Sequence, residues 1–185
     1  MAVTTLEVTA REPYWGGQSF GDTGPYEKIS GRLHFAVDPG HVANAPIADL
    51  SFAPRDADGM VTFSAGFRLL QPVEPSRGNR NLLSYVVNRG RQVIPFNRPA
   101  PEVDPSETLD PGDGFLMRRG WTVAWCGWQW DVIDDPVLVG LDAPLAFNPD
   151  GTPASTEVVV QFQPSERHVD QELSHWPQHP APRRS

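Results

Sequence analysis

Two short apolar segments, Leu82 to Val87 and Trp121 to Cys126, constrain this chain more than any other feature. Each is apolar on both parities, which suits a strand covered on both faces rather than one with a wet side. The connection between them holds Pro95, Pro99, Pro101, Pro105 and Pro111, so it is no tight hairpin. It ends in the signals of a short helix: Asp113 where an N-terminus favours an acid, Arg118 and Arg119 where a C-terminus favours cations, and Gly120 where termination needs positive φ. About two helical turns fit between them. Strand, helix and strand in that order form the unit from which parallel sheets are built. The two segments are therefore predicted to be parallel neighbours, with Leu82 to Val87 central in the sheet.

The chain before this unit reads as antiparallel. Leu6 and Val8 alternate with Thr5, Glu7 and Thr9, which predicts a short, half-buried edge strand. Ile29, Leu33, Phe35 and Val37 share one parity and Lys28, Ser30, Arg32 and His34 the other. Ala48, Leu50 and Phe52 mark a third strand, and Val61, Phe63, Ala65, Phe67 and Leu69 a fourth, with turns at Asp38 to Gly40 and Pro54 to Gly59. Between the first two strands, the glycines and Pro25 of Tyr14 to Tyr26 demand an ordered loop with aromatic anchors. Val137 to Leu141 and Val158 to Phe162 are the last strand candidates, separated by a turn at Asn148 to Gly151. The predicted fold is β-rich α/β: antiparallel strands leading into a strand-helix-strand unit, in one domain over 1–170 with a loose tail at 171–185.

A formal charge of -8 and a pI near 5.0 argue against a nucleic-acid partner, and the run Arg77, Arg80, Arg89, Arg91 and Arg98 reads as a solvated loop. Cys126 has no partner for an internal disulfide and sits among tryptophans, where a small buried hydrophobe is the expected role rather than a nucleophile. The N-terminus lacks the pattern of a signal peptide, and no run approaches the ~20 residues a bilayer needs, so no membrane partner and a cytoplasmic location are expected. His175 and His179 are separated by Pro177, which removes the helical geometry that would make their spacing a metal site with His168. No metal and no cofactor are expected.

Gly17-Gln18-Ser19-Phe20-Gly21 matches G-x-S-x-G, the nucleophile elbow of serine hydrolases. An elbow needs a buried strand before the serine and a helix after it. Here Pro13 and two glycines precede, Gly24-Pro25 follow, and no catalytic residue is assigned. Asp131, Asp134 and Asp135 read as a turn. Trp121 and Trp125 share a strand face while Trp128 and Trp130 follow the break at Gly127, so a stacking platform stands beside ordinary core packing. Asn88, Arg89 and Gly90 are the candidate binding residues, because ligands in open α/β sheets bind just past the carboxyl ends of strands. A plain strand-ending turn is the other reading of the same three residues.

Gly16-Gly-Gln-Ser-Phe-Gly-Asp-Thr-Gly-Pro-Tyr-Glu-Lys-Ile-Ser-Gly31, Val86-Val-Asn-Arg-Gly90 and Gly114-Phe-Leu-Met-Arg-Arg-Gly-Trp-Thr-Val-Ala-Trp-Cys-Gly-Trp-Gln129 together resemble the N-terminal part of a group of large α/β-hydrolase-domain proteins. The resemblance covers most of the chain through about Trp130. It implies that the two apolar segments are early strands of a hydrolase sheet, with Asn88-Arg89-Gly90 where such folds place an oxyanion loop. It also implies an ester-type small-molecule substrate for a complete relative, and a nucleophile later than any motif found here. The chain is then expected to be inactive alone and to self-associate through an exposed sheet edge. A self-standing β-rich ligand-binding module using the tryptophans is the alternative, and a degenerate relative without a molecular role is a third.

Overall fold

The computed structural model describes residues 2–96, 109–132 and 137–155. Three long strands, β1 (Ala2–Pro13), β2 (Tyr26–Val37) and β3 (Val61–Pro72), pair antiparallel in sequence order. The chain then adds β4 (Leu82–Val86), the helix α1 (Phe115–Arg118), β5 (Thr122–Cys126) and the two-residue β6 (Leu141–Asp142). The sheet runs β1-β2-β3-β5-β4, and β6 pairs with β3 beyond the end of β5. β4 and β5 lie parallel, Leu82 beside Thr122 through Val86 beside Cys126. The predicted parallel pair is therefore present within a mixed, β-rich, six-stranded sheet.

Alternation and register sort the side chains onto two faces. Tyr26, Leu70, Val123 and Trp125 fall on the face that carries the core, and Leu116 and Met117 of α1 join them together with Tyr14 and Phe20. The glycine-rich loop between β1 and β2 is ordered by those aromatics. Tyr14 stacks on Phe20 at 5.9 Å, and Phe20 meets Tyr26 edge-on at 5.7 Å. The Tyr14 hydroxyl donates to the Leu109 carbonyl, and the Tyr26 hydroxyl is shared between the carbonyls of Met117 and Trp121.

Tyr26 is fully buried, and burial pushes its phenol well above the usual tyrosine range. Below pH ~10 both folded and unfolded chains hold this proton, and its contribution to stability is complete. Above pH ~10 the unfolded chain releases the proton and the folded chain keeps it, so stability should fall by up to ~1.4 kcal/mol per pH unit. Urea unfolding of the Tyr26→Phe variant should show a loss of ~1–3 kcal/mol near neutral pH and a shallower alkaline decline by one proton.

Several expectations are corrected. Ala48 to Phe52 is no strand: Pro46 precedes it, Asp49 adopts φ 57°, and Leu50–Phe52 form a 3-10 turn, leaving three long antiparallel strands rather than four. β1 spans 12 residues with register shifts between Val3 and Thr5 and between Val8 and Ala10, so it is neither short nor regular. Its apolar residues are not half-buried, since Leu6 is 58% exposed. Among the described residues Leu82 to Val86 is the outermost strand rather than a central one, with Leu82 61% and Val86 72% exposed on one face.

The helix has one turn rather than two. Asp113 sits one residue outside its N-cap Gly114, where its carboxylate accepts from the Phe115 N–H, and Gly120 terminates the turn at φ 73° as read. Of Val137 to Leu141 only Leu141 enters a strand. Val158 to Phe162, most of the proline-rich connection, Asp134, Asp135 and the tail with its histidines lie outside the described residues.

Candidate functional site

Because β4 and β5 are parallel, the loops leaving them emerge at the same end of the sheet. Val87 to Gln92 leaves β4 and Gly127 to Val132 leaves β5, and the two loops are joined by side chains. The Arg89 N–H donates to Gln129 Oε1 at 2.6 Å, and the Arg89 guanidinium is ion-paired with Asp131. Trp128 Nε1 donates to the Val87 carbonyl.

A third segment, Val137 to Leu141, closes over both loops. Val139 N–H donates to the Gly90 carbonyl at 3.0 Å and Leu141 N–H to the Gln129 carbonyl at 2.9 Å. Beneath them Gln92, fully buried, bridges the carbonyls of Gly90 and Val137 through Nε2 and accepts from Arg68 of β3 through Oε1. A buried amide with all its contacts made fixes the loop conformation.

That conformation is unusual for side-chain-bearing residues. Arg89 (φ 52°) and Gly90 (φ 76°) take the left-handed region in succession. An L-residue there costs roughly 1–2 kcal/mol, which the tethers from Gln129 and Asp131 offset. Gly90 has a second reason to lack a side chain, since a Cβ would lie 2.7 Å from Val132 Cγ1 and 2.9 Å from the Val139 carbonyl. The three residues singled out in the sequence therefore have different surroundings. Gly90 is buried under the third segment, Arg89 is half-exposed and charge-paired, and Asn88 is exposed, its side-chain amide without a partner among the described residues.

The second loop presents Trp128, 55% exposed and tied to the carbonyl of Val87 next to Asn88, and Trp130, 69% exposed. Trp125 is not part of any platform, being buried with Nε1 on the Val93 carbonyl, and Trp121 packs against the core. The site thus offers one amide, two indole faces and the exposed Arg91, whose N–H donates to the Asn88 carbonyl and which has no ion pair among the described residues, beside the mutually neutralising Arg89 and Asp131. Such a surface suits a partly aromatic ligand that carries a hydrogen-bond acceptor. Gln92 and Gln129, which hold the site together, carried no signal in the sequence, because glutamines in loops show neither periodicity nor motif spacing.

Ser19 does not occupy an elbow. It is exposed, makes an isolated bridge to Pro25, and lies between two 3-10 turns with Gly17 at φ 78° and Gly21 at φ 56°. An open cleft of about 430 Å³, at the end of the sheet away from the core cluster, is lined by His34, Ser64 and Asp142 among others. The members of that row are engaged elsewhere: His34 Nε2 with Glu7 at 3.0 Å, and Ser64 Oγ with Arg32 at 2.6 Å, while Arg32 also reaches Asp142. No hydrogen bond joins Ser64 to His34 among the described residues, and the row reads as cross-strand polar pairing. Cys126 is half-buried and its thiol is pushed up by burial, the opposite of an activated nucleophile. Among the described residues no group of three or more His, Cys, Asp or Glu is placed to hold a metal, and no helix is long and apolar enough to cross a membrane.

No family model, no curated protein and no solved structure matches the chain.

Proposed function

We propose that this chain forms the opening portion of a serine-hydrolase-type α/β scaffold, contributing sheet and a substrate-side loop without supplying a nucleophile. The observation that carries the reading is the placement of Asn88-Arg89-Gly90 and Trp128-Gln129-Trp130 together at the carboxyl ends of a parallel strand pair. That is where open α/β sheets hold ligands, and where α/β-hydrolases draw one oxyanion donor from the loop after an early strand. The exposed indoles and the acceptor-seeking groups of Asn88 and Arg91 favour an aromatic, ester-type small molecule. The tight seat of Gly90 under Val139 makes Asn88 rather than Gly90 the residue that meets the ligand.

The exposure of Trp128 and Trp130 also favours the second reading, a self-standing binding module. One pair of assays on the full chain separates the two. Treatment with a serine-reactive fluorophosphonate should leave the protein unlabelled under either reading, and stoichiometric labelling at Ser19 would defeat both. Titration with aromatic esters and with neutral sugars then discriminates, read by tryptophan fluorescence. Saturable change with sugars, lost in Trp130→Ala, selects the binding module. Response to the aromatic esters alone selects the hydrolase-type loop.

A further inference from the structure

The two outer strands of the sheet are built in opposite ways. β1 carries Arg11 and Glu12, each tied in an ion pair to β2, and Glu7, hydrogen-bonded to His34, and two register irregularities break its line. Charges and bulges are the devices by which sheet edges avoid further pairing. β4 has none of them. From Asn81 to Asn88 the sequence holds no charge and no proline, and β4 pairs with β5 in unbroken register. Its other side pairs with no strand among the described residues.

We propose that the free edge of β4 pairs with β4 of a second copy of this chain, antiparallel about a two-fold axis through Ser84. The strand is self-complementary in that register. Leu82 of one copy meets Val86 of the other on the exposed face, where these side chains are 61% and 72% exposed, and Leu83 meets Tyr85 on the half-buried face. Ser84, small and exposed, sits on the axis where two identical side chains approach. Asn81 to Asn88 is uncharged, so the paired edges set no acid against acid, while the -8 carried by each copy opposes association and keeps it weak. Five residues per copy fall short of a standard stable interface, so the dimer is a reversible one that dissociates on dilution. This inference stands apart from the hydrolase reading, since it uses only the edge.

Sedimentation velocity of the full chain across a hundredfold concentration range should show monomer passing to dimer. Val86→Lys, at a position exposed enough to accept lysine, should shift that midpoint at least tenfold higher in concentration. Leu6→Lys, on the same face of the opposite edge strand, should leave it in place. Amide exchange within 82–86 should slow at high concentration in the wild type and not in Val86→Lys. A monomer at every concentration, or dissociation caused by Leu6→Lys and not by Val86→Lys, would overturn the proposal.

Discussion

Trp125→Ala is expected to lower stability by ~3–5 kcal/mol, the range for emptying a buried indole site. The side chain is 1% exposed and belongs to the core cluster with Leu70, Val123 and Met117. Its Nε1 also holds the Val93 carbonyl at 3.0 Å, so truncation leaves that carbonyl without its donor as well as leaving a cavity. Against a typical total of ~5–15 kcal/mol, such a loss brings the chain to the margin of folding. Urea unfolding followed by far-UV circular dichroism measures it. Trp125→Phe should recover more than half of the deficit, because it restores most of the volume but not the hydrogen bond.

The second large effect concerns Gly127, the first residue after β5. A Cβ built there would lie 2.2 Å from the Gly140 carbonyl oxygen and 2.4 Å from its carbon. Both are backbone atoms held in place, since Gly127 N–H donates to the Gly66 carbonyl and Gly66 N–H donates to the Gly140 carbonyl. Nothing can yield without separating the 137–141 segment from the sheet. Gly127→Val should therefore cost ~3 kcal/mol or more, beyond the usual range for overpacking. Because the same segment caps Gly90 and Gln129, the variant should also release the loops after β4 and β5. Faster amide exchange at Arg89 and Val139 than at Leu70 would report that release. Equal acceleration throughout would mean that the loops have no separate dependence on the segment.

What the sequence made legible follows from how local each signal is. The alternation of Ile29 to Val37 and of Val61 to Leu69 spans enough residues to fix both strands, which pair throughout their lengths, but not the face that carries the core, since Tyr26 and Leu70 of the core cluster belong to the other parity. The stop signal at Gly120 and the apolar runs on either side of α1 were enough to anticipate the parallel pair. Ala48, Leu50 and Phe52 alternate over too few residues to outweigh Pro46 and the left-handed Asp49. The outermost position of β4 among the described strands was not legible, because an apolar pattern records that a strand tolerates cover on both faces, not what lies beside it.

The candidate site shows the same division. Asn88-Arg89-Gly90 could be placed by strand-end logic alone. Its partners Gln92, Gln129 and Val139 depend on how three loops close in space, and sequence spacing holds no trace of that closure.

Everything proposed for the site depends on β4 and β5 running in the same direction, so that their loops leave from one end. Interstrand NOEs on the isotopically labelled chain test that directly. Contacts of Leu83 with Val123 and of Tyr85 with Trp125 are the expected result. Contacts of Leu83 with Trp125 and of Tyr85 with Val123 in their place would make the pair antiparallel, put the two loops at opposite ends, and contradict the account.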